Sequence, residues 1–314
     1  MKPFLIVNPR AANGATGKHF DSIAAAVREV VGECAHAFTE RPMHAAELAR
    51  KAISEGHDLV IAVGGDGTIN EVVNGFFHEP RPGETPRAIN PQASLAVVPR
   101  GTGGDFRKTL GLDGNLARSA ERLKNTPKRL DVGLVEYTDE QGKPGARLFV
   151  NVADAGLGGE VVDRVNKSSK LLGGVLTFKL ASARTLIGWK DRRITFTADG
   201  APAEEIAVTG FNIGNGRYFG GGMMVAPEAV LDDGLFHVTI WAGYGLMDFA
   251  TKSKQLYDGS HVKLPKTRTL TAKSVRLEPA GGDARAVLLD LDGEQVGQCP
   301  ATFTVVPGAI GLVA

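Results

Sequence analysis

The sequence predicts an α/β protein in which a doubly wound α/β layer is followed by a β-rich, sandwich-like second domain. Three observations carry this. Short apolar runs at 4–7, 34–38, 59–63 and 94–98 alternate with stretches whose apolar residues fall at helical spacing, as expected of a parallel sheet covered on both faces. After Arg129-Leu-Asp-Val-Gly133 the apolar runs continue with few helical stretches between them, which reads as mainly antiparallel β structure. At the third run, a strand pattern passes through Gly64-Gly-Asp-Gly67 straight into a helix pattern.

Taken in order, Phe4-Leu-Ile-Val7 is a strand running into the polar turn Asn8-Pro9-Arg10. Phe20, Ile23, Ala24, Val27 and Val31 predict a helix over 18–31. Cys34 to Phe38 is the second strand, Thr39-Glu-Arg-Pro42 a turn, and Ala45, Leu48, Ala49 and Ala52 mark the next helix. Leu59 to Val63 is a buried strand, and Ile69, Val72 and Val73 set the helix after it. Pro80 to Pro91 is a proline-rich surface loop, and Ser94 to Val98 is a strand ended by Pro99. Ligands of such folds bind outside the carboxyl ends of the strands, so Asn8, Thr39, the glycine turn and the Pro99 loop are expected to converge. In the second half, strands are expected at 148–152, 193–197, 206–208, 236–241, 274–277, 302–306 and 309–313, and Lys167 to Lys190 reads as helical.

The 314 residues allow about two domains. Lys plus Arg number 36 against 35 Asp plus Glu, a balance that gives no argument for nucleic acid. Cys34 and Cys299 lie far apart and read as thiols in a reducing compartment. The seven histidines form no metal-ligand pattern. The N-terminus lacks a signal-peptide pattern and no apolar run reaches about 18 residues. A cytoplasmic protein, peripheral at a membrane at most, is expected.

Four stretches carry chemistry. The Gly64 to Thr68 turn leaves backbone N–H groups unshielded at a helix N-terminus, which suits phosphate oxygens; many αβ turns need glycine for geometry alone. Asp66 would repel a bare phosphate, so it holds a divalent ion or orients the loop. Pro99-Arg-Gly-Thr102-Gly-Gly104-Asp105-Phe106 is a second glycine turn. Val230-Leu-Asp-Asp233-Gly-Leu235 and Leu288-Leu-Asp290-Leu-Asp292-Gly293-Glu294 first of all suggest hairpin turns. In the latter, three carboxylates within five residues are costly to cluster unless a cation or a proton relay uses them. A regular strand would point Asp290 and Asp292 to one face.

The ordered set of these motifs, from Asn8-Pro9 through Asp292-Gly-Glu294, resembles the diacylglycerol and sphingosine kinase family of lipid kinases. The resemblance covers most of the chain and also includes Asn151 with Gly156, Asn215-Gly and Gly220-Gly-Gly. Gly104 stands where the family has asparagine. The resemblance implies ATP held by Thr39, Gly65, Asp66, Gly67, Thr68, Ile69, Asn70, Glu71 and Thr102, and a Mg²⁺ bridging its phosphates. It further implies a structural Mg²⁺ at the Asp233 carboxylate with the Val230 and Leu235 carbonyls, and Asp292 with Glu294 acting on the hydroxyl of a lipid alcohol. It places residues 307–314 with the first domain, giving 1–128 plus 307–314 and 129–306. NAD kinases share the Gly-Gly-Asp-Gly-Thr loop but lack the C-terminal Asp-Gly-Glu, and are the rival reading; a catalytically inactive lipid-binding protein is another. The excess of basic residues over 167–193 suggests transient contact with an anionic membrane surface.

Overall fold

A computed structural model describes residues 1–101, 104–167, 184–281 and 286–314. β1 (Pro3–Val7) leads through the one-turn helix α1 (Ala15–Lys18) into α2 (Phe20–Val31). β2 (Ala35–Phe38), α3 (His44–Ser54), β3 (Leu59–Gly64), α4 (Asp66–Asn74), β4 (Ser94–Pro99), α5 (Asp105–Thr109) and α6 (Leu116–Glu121) follow. β2, β1, β3 and β4 lie side by side in that order and all run parallel.

β3 is buried along its whole length because its alternate side chains feed two cores. Val60 and Ala62 pack with Ala45 and Ala49 of α3 and Val72 and Val73 of α4. Leu59, Ile61 and Val63 pack with Ile23 and Val27 of α2. A strand covered on both faces needs an unbroken apolar run, which is what 59–63 supplies. Gly75, at the end of α4, lets α3 and α4 touch: a Cβ there would stand 2.4 Å from the Ala46 carbonyl oxygen.

The second half contains β5 (Lys128–Thr138), β6 (Pro144–Phe149), β7 (Val152–Gly156), α7 (Leu157–Lys167), β8 (Arg192–Ala198), β9 (Glu204–Val208) and β10 (Gly210–Gly214). β11 (Phe236–Trp241), α8 (Leu246–Asp258), β12 (Thr267–Ala272), β13 (Ser274–Pro279), β14 (Leu288–Leu291) and β15 (Glu294–Val313) complete it. β15 joins the two halves. It pairs antiparallel with β14, β13 and β5, and its last residues, Gly311 to Val313, pair parallel with β4. Phe149, Phe196, Phe211, Phe236 and Phe303 fill the core of the second half, with Phe149 stacked on Phe236 at 5.6 Å between ring centroids.

Three features depart from the sequence expectation. The run 148–152 is not one strand: β6 ends at Phe149 and β7 begins at Val152, because the N–H groups of 150–152 turn toward a carboxylate described below. β15 passes straight through Pro307-Gly308, with a register shift there in its pairing to β5. Helices α6, α7 and α8 were not expected. Of the expected 167–190 helix, residues 168–183 lie outside the described residues. No helix among the described residues is long and apolar enough to cross a membrane.

Candidate active site

The two glycine turns back onto each other at the carboxyl ends of β3 and β4. Gly65 is extended, with φ −94° and ψ −172°, and a Cβ on it would meet nothing closer than 3.7 Å. Its missing side chain therefore matters to whatever approaches from the cleft, not to backbone strain. Packing requires the other two glycines: a Cβ would lie 2.5 Å from Thr68 Oγ1 at Gly64, and 2.9 Å from Gly65 Cα at Gly101. The Arg100 N–H donates to the Gly64 carbonyl at 2.7 Å and zips the turns together.

Asp66 orients the loop through its hydrogen bonds. Its carboxylate accepts the N–H groups of Asp105 (2.9 Å) and Phe106 (3.2 Å), capping α5 from the neighbouring turn. Burial, with the charges of Asp105 and Asp292 adding to it, pushes this carboxyl up to about 6. Gly104, immediately before α5, has φ +65°. Glycine and asparagine are the residues that adopt this left-handed conformation most readily, so the exchange relative to the family pattern keeps the backbone. Thr102 lies outside the described residues.

Asn8 donates to Thr68 Oγ1 at 3.0 Å. Together with Thr39, Gly65, Asp66, Gly67 and Glu71 these residues line a cavity of about 700 Å³. Glu71 accepts the N–H of Ala45 at 3.0 Å, and burial raises its carboxyl above the ordinary range. Two residues of the expected nucleotide set do not reach this cleft. Ile69 packs in the core, one helix position away from the exposed face. Asn70 is fully buried and bridges the two halves.

That bridge leads to the Asp-Gly-Glu turn. Asp292 and Gly293 join β14 to β15 with φ +51° and +92°, the left-handed pair of a tight hairpin. Asp292 thereby lies in the turn, beyond the regular strand that ends at Leu291 and on which the alternation with Asp290 depends. Its Oδ2 accepts Asn70 Nδ2 and the Val150 N–H, both at 2.8 Å; its Oδ1 accepts the N–H groups of Asn151 (2.9 Å) and Val152 (3.0 Å). Burial raises its carboxyl, and these donors oppose the shift. Glu294 is placed differently. Its Oε2 accepts Arg147 Nη2 at 2.5 Å, while Oε1 stands 3.3 Å from where a Gly67 Cβ would be. A carboxylate from the second half thus faces the first turn of α4 and lines the same cavity.

A second cavity, of about 440 Å³, lies in the second half under α7 and α8, lined by Leu157, Val161, Leu186, Phe219, Trp241 and Phe249 with Asp154. Asp154 is cross-strand neighbour to Asp290 and Asn212, and all three are buried. Burial pushes the Asp154 carboxyl up to about 7. Sequence reading passed over Asp154; the signal was a lone carboxylate inside the apolar run Val152-Ala-Asp-Ala. Gly220 lines this cavity, and the next residue's N–H donates to Asp105 Oδ2 at 2.8 Å, so the glycine triplet ties the apolar cavity to the second glycine turn.

Asp233 accepts the Leu235 N–H at 3.0 Å through Oδ1 and faces His237 Nε2 at 2.9 Å through Oδ2. Its turn is pinned to β5 by Asp131, which accepts the Gly234 N–H at 2.6 Å. Among the described residues there is no cluster of three or more His, Cys, Asp or Glu suited to a metal, so a cation here would rest on one carboxylate and on carbonyls such as those of Val230 and Leu235. That donor set fits Mg²⁺, a hard ion that keeps several waters.

Residues 2–135 match the family described as the diacylglycerol kinase catalytic domain. Residues 151–314, just over half of the chain, match the YegS C-terminal NAD kinase beta sandwich-like domain. A diacylglycerol kinase of Bacillus subtilis is 26% identical over 302 residues, covering 95% of this chain and 91% of its own. One from Staphylococcus carnosus is 25% identical over 301 residues, covering 95% and 90%. A crystal structure of a diacylglycerol kinase from Bacillus anthracis superposes with a TM-score of 0.69 at 23% identity, over 99% of this chain and 96% of that one. Yeast NADH kinase shares the fold at a TM-score of 0.52 and 12% identity, over 99% and 82%. With its N-terminal nucleotide-binding α/β domain and β-rich C-terminal domain, the chain belongs to the diacylglycerol kinase family.

Proposed function

We propose that this protein is a lipid kinase that transfers the γ-phosphoryl group of ATP to the hydroxyl of a lipid alcohol. The observation that carries the reading is the placement of Glu294: a carboxylate of the second half stands beside the glycine-rich N-terminus of α4 in the lining of a cavity of nucleotide size. The exposed N–H groups and partial positive charge of that helix end receive the phosphates, and Gly65 and Gly67 let them approach. Mg²⁺, when bound with ATP, neutralises phosphate charge as it redistributes during transfer.

Glu294 is the proton acceptor. As the acceptor oxygen bonds to the γ-phosphorus, its proton passes to Glu294 and the bond from phosphorus to the bridging oxygen of ADP breaks. Asp292 does not serve as the base, since its oxygens are already occupied by N–H donors; it holds the 150–152 backbone and α4 in register around Glu294. The apolar cavity beneath α7 and α8 takes part of the lipid body, and the protein works at a membrane face where such acceptors reside. Asp233, with the Val230 and Leu235 carbonyls, holds a structural Mg²⁺.

Labelled ATP offered with diacylglycerol, a sphingoid base, a monoacylglycerol and NAD tests the reading. Label in a lipid phosphate is the expected result. Label in the dinucleotide alone would favour an NAD kinase, and no transfer to any acceptor would favour a lipid-binding protein; either overturns it.

A further inference from the structure

Arg147 has a place in the cleft that the reading above leaves unexplained. It projects from β6 with a side chain only 14% exposed. Arginines are mostly exposed, and a guanidinium taken out of water is stable only when its donors meet charge or good acceptors. Here Nη2 donates to Glu294 Oε2 at 2.5 Å and to Asn70 Oδ1 at 3.0 Å, while the buried Nε has no hydrogen-bond partner. Its contacts are thus concentrated on one carboxylate and on the amide that also grips Asp292.

The surroundings of Glu294 are otherwise acidic. Glu71 and Asp66 come from α4, Asp290 from β14 and Asp292 from the adjoining turn, and the Glu294 charge is felt at both Glu71 and Asp290. Of the arginines lining the cleft from the first half, Arg41 is bound to Glu47, and Arg10 and Arg100 stand on the loops after β1 and β4. Among the described residues, Arg147 is the cation within hydrogen-bond distance of Glu294.

We propose that Arg147 is a positioning residue for phosphoryl transfer: by holding Oε2 of Glu294 it turns Oε1 toward the first turn of α4, leaving that oxygen open to the acceptor hydroxyl. Asn70 completes the device. By accepting from Arg147 and donating to Asp292, it references the orientation of the base to the helix that receives the phosphates. The inference rests on Glu294 being the proton acceptor.

The test is a kcat and KM comparison of variants, with ATP and diacylglycerol in mixed micelles, or whichever acceptor of the panel is phosphorylated. Arg147→Gln removes the charged grip and keeps a polar side chain; kcat is expected to fall by roughly 10–10²-fold, as for a misplaced reacting group, with KM for ATP within about twofold of wild type. Arg147→Lys is expected to recover part of that kcat. Because Arg147 acts through Glu294, adding Arg147→Gln to Glu294→Gln should lower kcat little further. Losses that multiply in the double variant would mean a merely structural role and overturn the proposal, as would an Arg147→Lys variant no better than Arg147→Gln. Should Arg147→Gln not fold, the same cycle with Arg147→Lys decides. Glu294→Gln keeps the two readings apart. Full turnover by that variant would remove the base itself, whereas a large loss in it with multiplying losses in the double variant would remove only the role of Arg147.

Discussion

Replacing Asp292 by asparagine changes one atom and exposes what that carboxylate does. Its two oxygens accept Asn70 Nδ2 and the N–H groups of Val150, Asn151 and Val152. An amide in the same rotamer keeps one acceptor oxygen and turns an NH₂ toward the two remaining donors. Two part-buried donors then lose their partner, each worth about 1–3 kcal/mol. Relief of the carboxylate's own desolvation offsets part of this, leaving a net loss of roughly 3 kcal/mol. With a shift of about 2–4 °C per kcal/mol for domains of 150–250 residues, Tm should fall by roughly 6–12 °C. Thermal melting of the purified variant, followed by circular dichroism, reads this directly. Activity should fall with it, because the 150–152 backbone and Asn70 frame Glu294. A variant that melts within about 1 °C of wild type yet has lost turnover would refute the reasoning, and would return Asp292 to the role of a reacting group.

Gly65→Val should abolish ATP binding while the fold survives, since a Cβ there would meet neighbours no closer than 3.7 Å and its φ of −94° suits any residue; unchanged nucleotide affinity would exclude this turn as the phosphate site. Asp154 titrates at about 7 in the folded protein against roughly 3.9 unfolded. The unfolded chain therefore releases this proton first, and stability falls as pH rises from about 4 to about 7, by at most roughly 4 kcal/mol. Asp154→Asn should flatten that slope in urea melts, and an unchanged slope would mean that the carboxylate is not held neutral. Asp233→Ala should remove the rise in Tm that Mg²⁺ gives the wild type in the absence of nucleotide; a wild type indifferent to chelator would count against a cation there.

The first half was legible because its elements are short-range and strongly patterned. The 59–63 run, the glycines after it and Val72-Val73 at helical spacing together allow only a strand, a turn and a helix. The second half was harder to read because partners distant in sequence decide it. Gly133 looks like a breaker, yet it lies within β5, where it makes room for the Phe149 ring: a Cβ would sit 2.1 Å from that ring. Pro307-Gly308 looks like a stop, and β15 absorbs it with a register shift. Helix α8 shows a blurred periodicity, with Met247 and Tyr257 exposed beside buried Leu256. At the site, residue types singled out Asp292 and Glu294, but only hydrogen-bond geometry separates an occupied carboxylate from an open one. Arg147 carries no motif and meets Glu294 across 147 residues of chain.

The central claim is that Glu294, delivered from the second half, takes the acceptor proton in a cleft whose phosphate end belongs to the first. Single-turnover phosphoryl transfer by Glu294→Gln, measured by rapid quench with saturating labelled ATP, tests it most directly. Glutamine keeps the shape and loses the basicity, so ATP should bind with near wild-type affinity while transfer slows by roughly 10²–10⁴-fold. Transfer at the wild-type rate in a folded variant that still binds ATP would contradict the account.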